Sequence, residues 1–324
     1  MKIAVVGCGA VGSYYGGKLA SAGHETHFLL RSDYDVVCRE GVRVSSPDGD
    51  SHFQPHCARR PGEIGPADLV IIALKTTANA EFSRLLPPLV GEHTVILTLQ
   101  NGLGNEEALA RLFRTEQILG GLCFVCLNRL RPGVIVHLDH GRIVIGEFQG
   151  VPRSRTEAIS SAFREAGVNC TISDDLARAH WEKLVWNIPF NGLGVAAAAG
   201  YEALMSGTMT SNQAVGPVWP TDRLLADPKW VQLLRELMLE VVAAARARGH
   251  PFEPHMADEQ LQLTRSMGPY KASTLLDFEN GKPLELQSLF LEPLRQAVAA
   301  GALVPRIASL CGILQALHDR MSAG

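Results

Sequence analysis

Lys183, Asn187 and Asn191 recur at four-residue intervals in a stretch, Asp174 to Ala199, that is otherwise largely apolar and helix-forming. At roughly 100° per residue this spacing turns only about 40° per step, so the three polar tips share one helix face. Asp174 and Asp175 stand where a helix start wants acceptors for its free amides and negative charge at its dipole. Pro189 predicts a bend or a locally freed carbonyl. A cation and two amides buried without partners would cost roughly 1–3 kcal/mol each. Two readings answer that cost: a polar network between helices, or a face that binds a small polar molecule.

A second set of residues lies at the start of the chain. The apolar run at residues 2–6 has the character of a central parallel strand covered on both faces. Gly7-Cys8-Gly9-Ala10-Val11-Gly12 follows at once and leads into a helical pattern that stops at Gly23. This is G-x-G-x-x-G in a strand, turn and helix setting. Its first glycine allows the tight turn, its second lets a pyrophosphate approach the backbone, and its third lets helix and strand pack closely. Free amides at the helix start then bind phosphate. The next strand, Thr26 to Leu30, ends in Arg31, where an NAD site usually carries an acid for the ribose 2′-hydroxyl. A guanidinium matches a phosphate, so NADP is the expected dinucleotide. Asp33 stands close by.

Later strands serve the same crevice. Asp68 to Leu74 delivers Lys75-Thr76-Thr77, and Val95 to Leu99 delivers Gln100-Asn101-Gly102, at the strand ends where doubly wound sheets collect ligands. Between them and the first strands, Gly41 to Gln54 alternates around a Pro-Asp-Gly turn and predicts a hairpin insertion. Further strands are expected at Ile118–Leu127, Val134–Leu138 and Arg142–Ile145, with turns at Arg131-Pro132-Gly133 and Asp139-His140-Gly141. A helix near Thr156–Ala166 and a short strand near Thr171 follow. Beyond residue 174 the strand patterns stop, and helices are expected at 228–248, 255–266, 285–300 and 305–321, with a loop at 206–222. The fold class is therefore an α/β N-terminal doubly wound, Rossmann-like sheet over 1–174, followed by an all-α C-terminal domain over 175–324. Within the latter, Ser273 and Thr274 offer hydroxyls and Glu285 opens a helix, where an acid often partners the dipole.

A chain of 324 residues suits two domains, since single cores rarely exceed about 250–300 residues. With 46% hydrophobic and 19% charged residues and a net charge of -3, it offers no basic arm or stripe for nucleic acid. Neither a secretion signal nor an apolar run near 20 residues is present, so a membrane span is not expected. Seven scattered cysteines suit reduced thiols and a cytoplasmic setting. Cys123 and Cys126 form a lone C-x-x-C in a strand, where residues three apart face opposite sides. No metal site is expected. The apolar C-terminal helices allow a homodimer interface or simply pack on one another.

Taken jointly, the N-terminal glycine motif, Arg31, Leu74-Lys75, Gln100-Asn101-Gly102, Trp181-x-Lys183-x-x-x-Asn187-x-x-x-Asn191, and Ser273 with Glu285 resemble the ketopantoate reductase (2-dehydropantoate 2-reductase) family over nearly the whole chain. The resemblance implies an NADPH-binding Rossmann domain, a helical C-terminal domain, a cleft between them, and a place in pantothenate biosynthesis. It implies that Lys183 is the catalytic lysine and that Asn187, Asn191 and Ser273 bind substrate. Glu285 would touch cofactor and substrate, while Lys75 and Asn101 would line the cofactor crevice, Asn101 also serving the substrate. The chain departs from better-known members at Gly200-Tyr201, where a further substrate-contacting Asn would be expected. Rival readings are a reductase or dehydrogenase of another branched 2-oxo or 3-hydroxy acid, and a non-catalytic NADPH sensor.

Overall fold

The computed structural model describes residues 1–210 and 213–323. The chain divides into two compact units, Met1–Ala179 and His180–Gly324, the division falling inside a helix rather than at residue 174.

The first unit holds one ten-stranded sheet. Its strands are β1 (Lys2–Val6), β2 (Glu25–Leu29), β3 (Val42–Ser45), β4 (Ser51–Phe53), β5 (His56–Ala58), β6 (Leu69–Ile72), β7 (Val95–Thr98), β8 (Ile118–Arg131), β9 (Val134–Glu147) and β10 (Cys170–Ser173). The spatial order is β4-β3-β9-β8-β7-β6-β1-β2-β5, and β10 pairs with β9. From β5 to β8 the neighbours run parallel. Because β1 leads to β2 on one side while β6 lies on the other, the order reverses beside β1, and this reversal opens a crevice at the carboxyl ends.

Period-two alternation explains why these strands are apolar throughout. Ile3, Val5, Leu69, Ile71 and Leu97 join one core, together with Tyr14, Tyr15 and Leu19 of α1 (Ala10–Ser21). Ala4, Val6, Val70, Ile72 and Ile96 turn to the opposite core, which also takes in Phe82 and Leu109. Three further short helices, α2 (Tyr34–Glu40), α3 (Phe82–Leu85) and α4 (Asn105–Ala110), lie along this unit, and α5 (Ser154–Glu165) adds Ile159 and Phe163 to the first core.

The expected hairpin forms as β3 and β4, with Val42 opposite Phe53. One expectation fails. Asp139-His140-Gly141 does not end a strand; β9 continues through it, antiparallel to β8, with register shifts at Phe124/Val125 and Cys126/Leu127. His140 at φ 65° and Gly141 at φ 124° absorb the irregularity as a local distortion of the ladder, so turn-like composition here marks a bulge. Cys123 joins the first core, Cys126 is buried outside it, and among the described residues no cluster of metal-ligating side chains exists.

The second unit is helical. It contains most of α6 (Leu176–Ala196), then α7 (Tyr201–Ser206), α8 (Thr221–Ala226), α9 (Pro228–Ala247), α10 (His255–Thr264), α11 (Ser273–Glu279), α12 (Glu292–Ala299) and α13 (Pro305–Ala323). The described residues between Ser206 and Thr221 carry no helix or strand; Ser211 and Asn212 of the expected loop lie outside the described residues. Leu233, Leu234, Leu237, Met238, Val241 and Val242 bury a stripe of α9 at three- and four-residue spacing. Gln287–Leu291 forms a π-helical turn ahead of α12, so the helix expected from 285 begins with a distorted turn. No described helix is long and apolar enough to cross a membrane.

Candidate active site

In the first unit, the glycines of the motif differ in what surrounds them. Gly7, at φ 98°, leaves β1 so close to β6 that a Cβ would lie 2.4 Å from the Leu74 nitrogen. On Gly12 a Cβ would lie 2.2 Å from the Gly7 carbonyl oxygen. These two glycines are required by packing. Gly9 differs: a Cβ there would meet nothing within 4 Å, so the open space above it can take a ligand. Gly9 caps α1, whose first turn holds no acid, and helix-start amides with unopposed positive potential suit a pyrophosphate. The residues present therefore fit a dinucleotide.

Cys8 is partly exposed as a residue, but its thiol points inward to the carbonyls of Val5 at 3.6 Å and Leu29 at 3.5 Å. Burial, with smaller contributions from Cys57 and Asp33, pushes this thiol well above the usual range and keeps it neutral. Ala10 and Val11 complete the turn into α1.

The expected cofactor residues of the first unit all stand at or just past the carboxyl ends of parallel strands, whereas Glu285 belongs to the helical unit. Arg31 follows β2 and is exposed; Lys75 follows β6 and is exposed; Asn101 follows β7 and is half-buried. What sequence reading missed is the amide network joining the last two ends. The Gln100 side-chain amide donates to the Leu74 carbonyl at 2.9 Å and to Asn79 Oδ1 at 2.8 Å, while Thr98 Oγ1 donates to Gln100 Oε1 at 3.0 Å. Asn79 donates in turn to Asn105 Oδ1 at 2.9 Å, and Asn105 to the Asn101 carbonyl at 3.1 Å. Gln100 and Asn105 are buried, so these bonds form away from competing water and fix the backbone that carries Lys75 and Asn101. The only signal in the sequence was an unusual density of amides after two apolar strands.

In the second unit, α6 carries Lys183, Asn187 and Asn191 as expected. The Asp175 carboxylate accepts from the Arg178 amide at 2.8 Å and so starts the helix, which passes through Pro189 to Ala196. Lys183 is half-buried, whereas Asn187 and Asn191 are buried. Asn191 Oδ1 accepts from the Thr274 amide at 3.1 Å and from the Ser273 hydroxyl at 3.3 Å. It thus ties α6 to the first turn of α11 and sets the hydroxyl of Ser273. Trp186 stacks on Phe190 at 5.1 Å between centroids and donates from its indole nitrogen to Thr264 Oγ1 at 2.9 Å, which steadies the same helix against α10. Glu285 is buried in the segment between α11 and the π-helical turn. Within this unit, an ammonium can stabilise developing negative charge while the neighbouring amides and hydroxyl orient polar groups.

The family model described as Ketopantoate reductase PanE/ApbA matches residues 3–150, and that described as its C terminal matches residues 218–318. A 2-dehydropantoate 2-reductase of Nostoc sp. is 38% identical over 330 residues, covering 100% of this chain and 97% of the relative. Among solved structures, the 2-dehydropantoate 2-reductase of Geobacter metallireducens GS-15 is 44% identical with a TM-score of 0.89, covering 98% of this chain and 99% of that one. The enzyme of the same description from Methylococcus capsulatus is 30% identical with a TM-score of 0.85, covering 99% and 98%. The glycine turn lies within the first matched segment, and Ser273 and Glu285 lie within the second; by these matches and by its full-length likeness, the chain belongs to the ketopantoate reductase PanE/ApbA family.

Proposed function

We propose that this protein reduces 2-dehydropantoate to pantoate with NADPH, a step in making pantothenate. The observation that carries the reading is the half-buried Lys183 ammonium aligned with two buried carboxamides on one face of α6, in a chain whose glycine turn fits a dinucleotide. NADPH, when bound, supplies the hydride that the ketone carbon receives. As the carbon accepts that electron pair, the carbonyl π bond breaks and charge gathers on oxygen. Lys183 stabilises the oxygen and gives it a proton, then recovers one from water. Asn187, Asn191 and Ser273 orient the substrate's carboxylate and hydroxyl, and Glu285 holds both substrate and cofactor groups. Gly7 to Gly12, Lys75 and Asn101 hold the dinucleotide, and Arg31 receives its 2′-phosphate. Seven free thiols suit a reducing cytoplasm.

The test follows NADPH oxidation against a panel of branched and unbranched 2-oxo acids. 2-Dehydropantoate is expected to show the highest kcat/KM, and a higher value for another acid would reassign the substrate. Arg31→Ala is expected to lower the NADPH to NADH preference roughly ten- to a hundredfold, the worth of a charged hydrogen bond of about 1.5–3 kcal/mol.

A further inference from the structure

We infer that Arg129, on the outer part of β8, sets the preference for a 2′-phosphorylated dinucleotide by occupying the carboxylate of Asp33. The inference rests on the NADPH reading above. Three charged residues crowd the chain just after β2, the cation Arg31 and the acids Asp33 and Asp35. Taken alone they make a net negative corner, which suits a ribose hydroxyl and repels a phosphate.

The fold pairs off both acids. Asp33 is 5% exposed; one oxygen accepts from the Ser32 hydroxyl at 2.9 Å and the other from the Arg129 guanidinium, reaching it from 96 residues away. Asp35 accepts from Arg59 at 2.5 Å, and that guanidinium lies 4.1 Å from the centroid of Tyr34. Arg31 is exposed and, among the described residues, meets no carboxylate. Among these paired groups, one positive charge is left uncancelled.

The two pairs do not weigh equally. Asp35 and Arg59 are both exposed, so water and salt screen them and either partner changes little. Asp33 is buried, and its charge reaches Cys8 in the glycine turn. Without Arg129 this carboxylate would present an unscreened negative charge and a vacant acceptor beside the dinucleotide. It would then favour a ribose hydroxyl over a phosphate. Arg129 does not touch the ligand in this account; it is a positioning and neutralising residue, brought there because the β8–β9 hairpin runs far beyond the β7 edge.

The experiment is calorimetric titration of the full-length protein with adenosine 2′,5′-bisphosphate and with adenosine 5′-monophosphate, which differ by the 2′-phosphate alone and undergo no turnover. Wild type is expected to prefer the bisphosphate. Arg129→Gln should lower that preference about tenfold or more, as expected for one uncancelled charge about 10 Å or less from the phosphate at an effective dielectric of about 20–30. Arg129→Lys should keep most of it, and Arg129→Gln with Asp33→Asn should restore it. If wild type shows no preference, the NADPH reading falls and this inference with it. If wild type discriminates and Arg129→Gln leaves the ratio unchanged, only the inference is overturned. Should Arg129→Gln fail to fold, the double variant, which buries no lone charge, decides alone: a wild-type ratio supports the account, and a lowered ratio assigns Arg129 to the phosphate itself and overturns it.

Discussion

An ammonium on a buried helix face is a liability unless it is put to use, and Lys183 is the residue at which that use can be measured. Lys183→Ala is expected to lower kcat by about 10²–10⁴, the usual worth of a positioned proton donor. The dissociation constant for NADPH should hold, because Lys183 is not among the groups proposed to hold the dinucleotide. Unchanged turnover would remove Lys183 from the chemistry. Asn191 carries a double load, since its oxygen holds both the Thr274 amide and the Ser273 hydroxyl. Thr274 is 3% exposed, so Asn191→Ala leaves a buried donor unmet at a cost of roughly 1–3 kcal/mol. A lowered melting temperature together with a raised KM for the oxo acid is expected, and a change in kcat alone would contradict this placement. Spacing in the sequence put Asn191 on the same face as Lys183 and Asn187. It could not show that the partner was the first turn of α11, 82 residues away.

At the scale of elements, the glycine turn separates packing from binding, and two substitutions distinguish them. Gly12→Ala forces a Cβ to 2.2 Å from the Gly7 carbonyl oxygen, a backbone atom that cannot swing aside. It should lower thermal stability as well as dinucleotide affinity. Gly9→Ala meets no protein atom within 4 Å and should leave the melting temperature intact while raising the KM for NADPH, because the methyl takes the space a pyrophosphate needs. Equal losses of stability in both variants would refute the assignment of that space. The turn was legible from sequence because every constraint on it is local: an apolar strand, glycines at fixed offsets, then a helix. The β8–β9 hairpin was less so. Its Asp139-His140-Gly141 has turn composition, yet pairing with β8 on both sides carries the ladder through, and only long-range hydrogen bonding decides that. The Asp33 and Arg129 pair was illegible for the same reason, as was the network of Asn79, Gln100 and Asn105, whose members are neighbours only after β6 and β7 align.

Over the whole molecule, both units bury acidic hydrogens that must stay in place for the fold to persist. Burial pushes Cys311, in α13 of the second unit, up to about 12. In the first unit burial, aided by a hydrogen bond with Cys38, raises Cys57 to about 12, and burial likewise lifts Cys8 and the Tyr15 phenol well above their usual ranges. A group whose folded pKa exceeds its unfolded value favours the fold fully below the unfolded pKa and loses that contribution as pH rises through the folded one. For the two thiols the window runs from 9.0 to about 12. The urea midpoint is therefore expected to hold near neutral pH and to fall steadily as pH climbs through that window, because the unfolded chain releases protons that the native chain keeps. Cys311→Ala, which removes one such proton, should show a shallower fall than wild type, whatever the substitution costs at neutral pH. A midpoint that stays level across the window, or an identical slope in the variant, would mean that these thiols ionise without opening the structure.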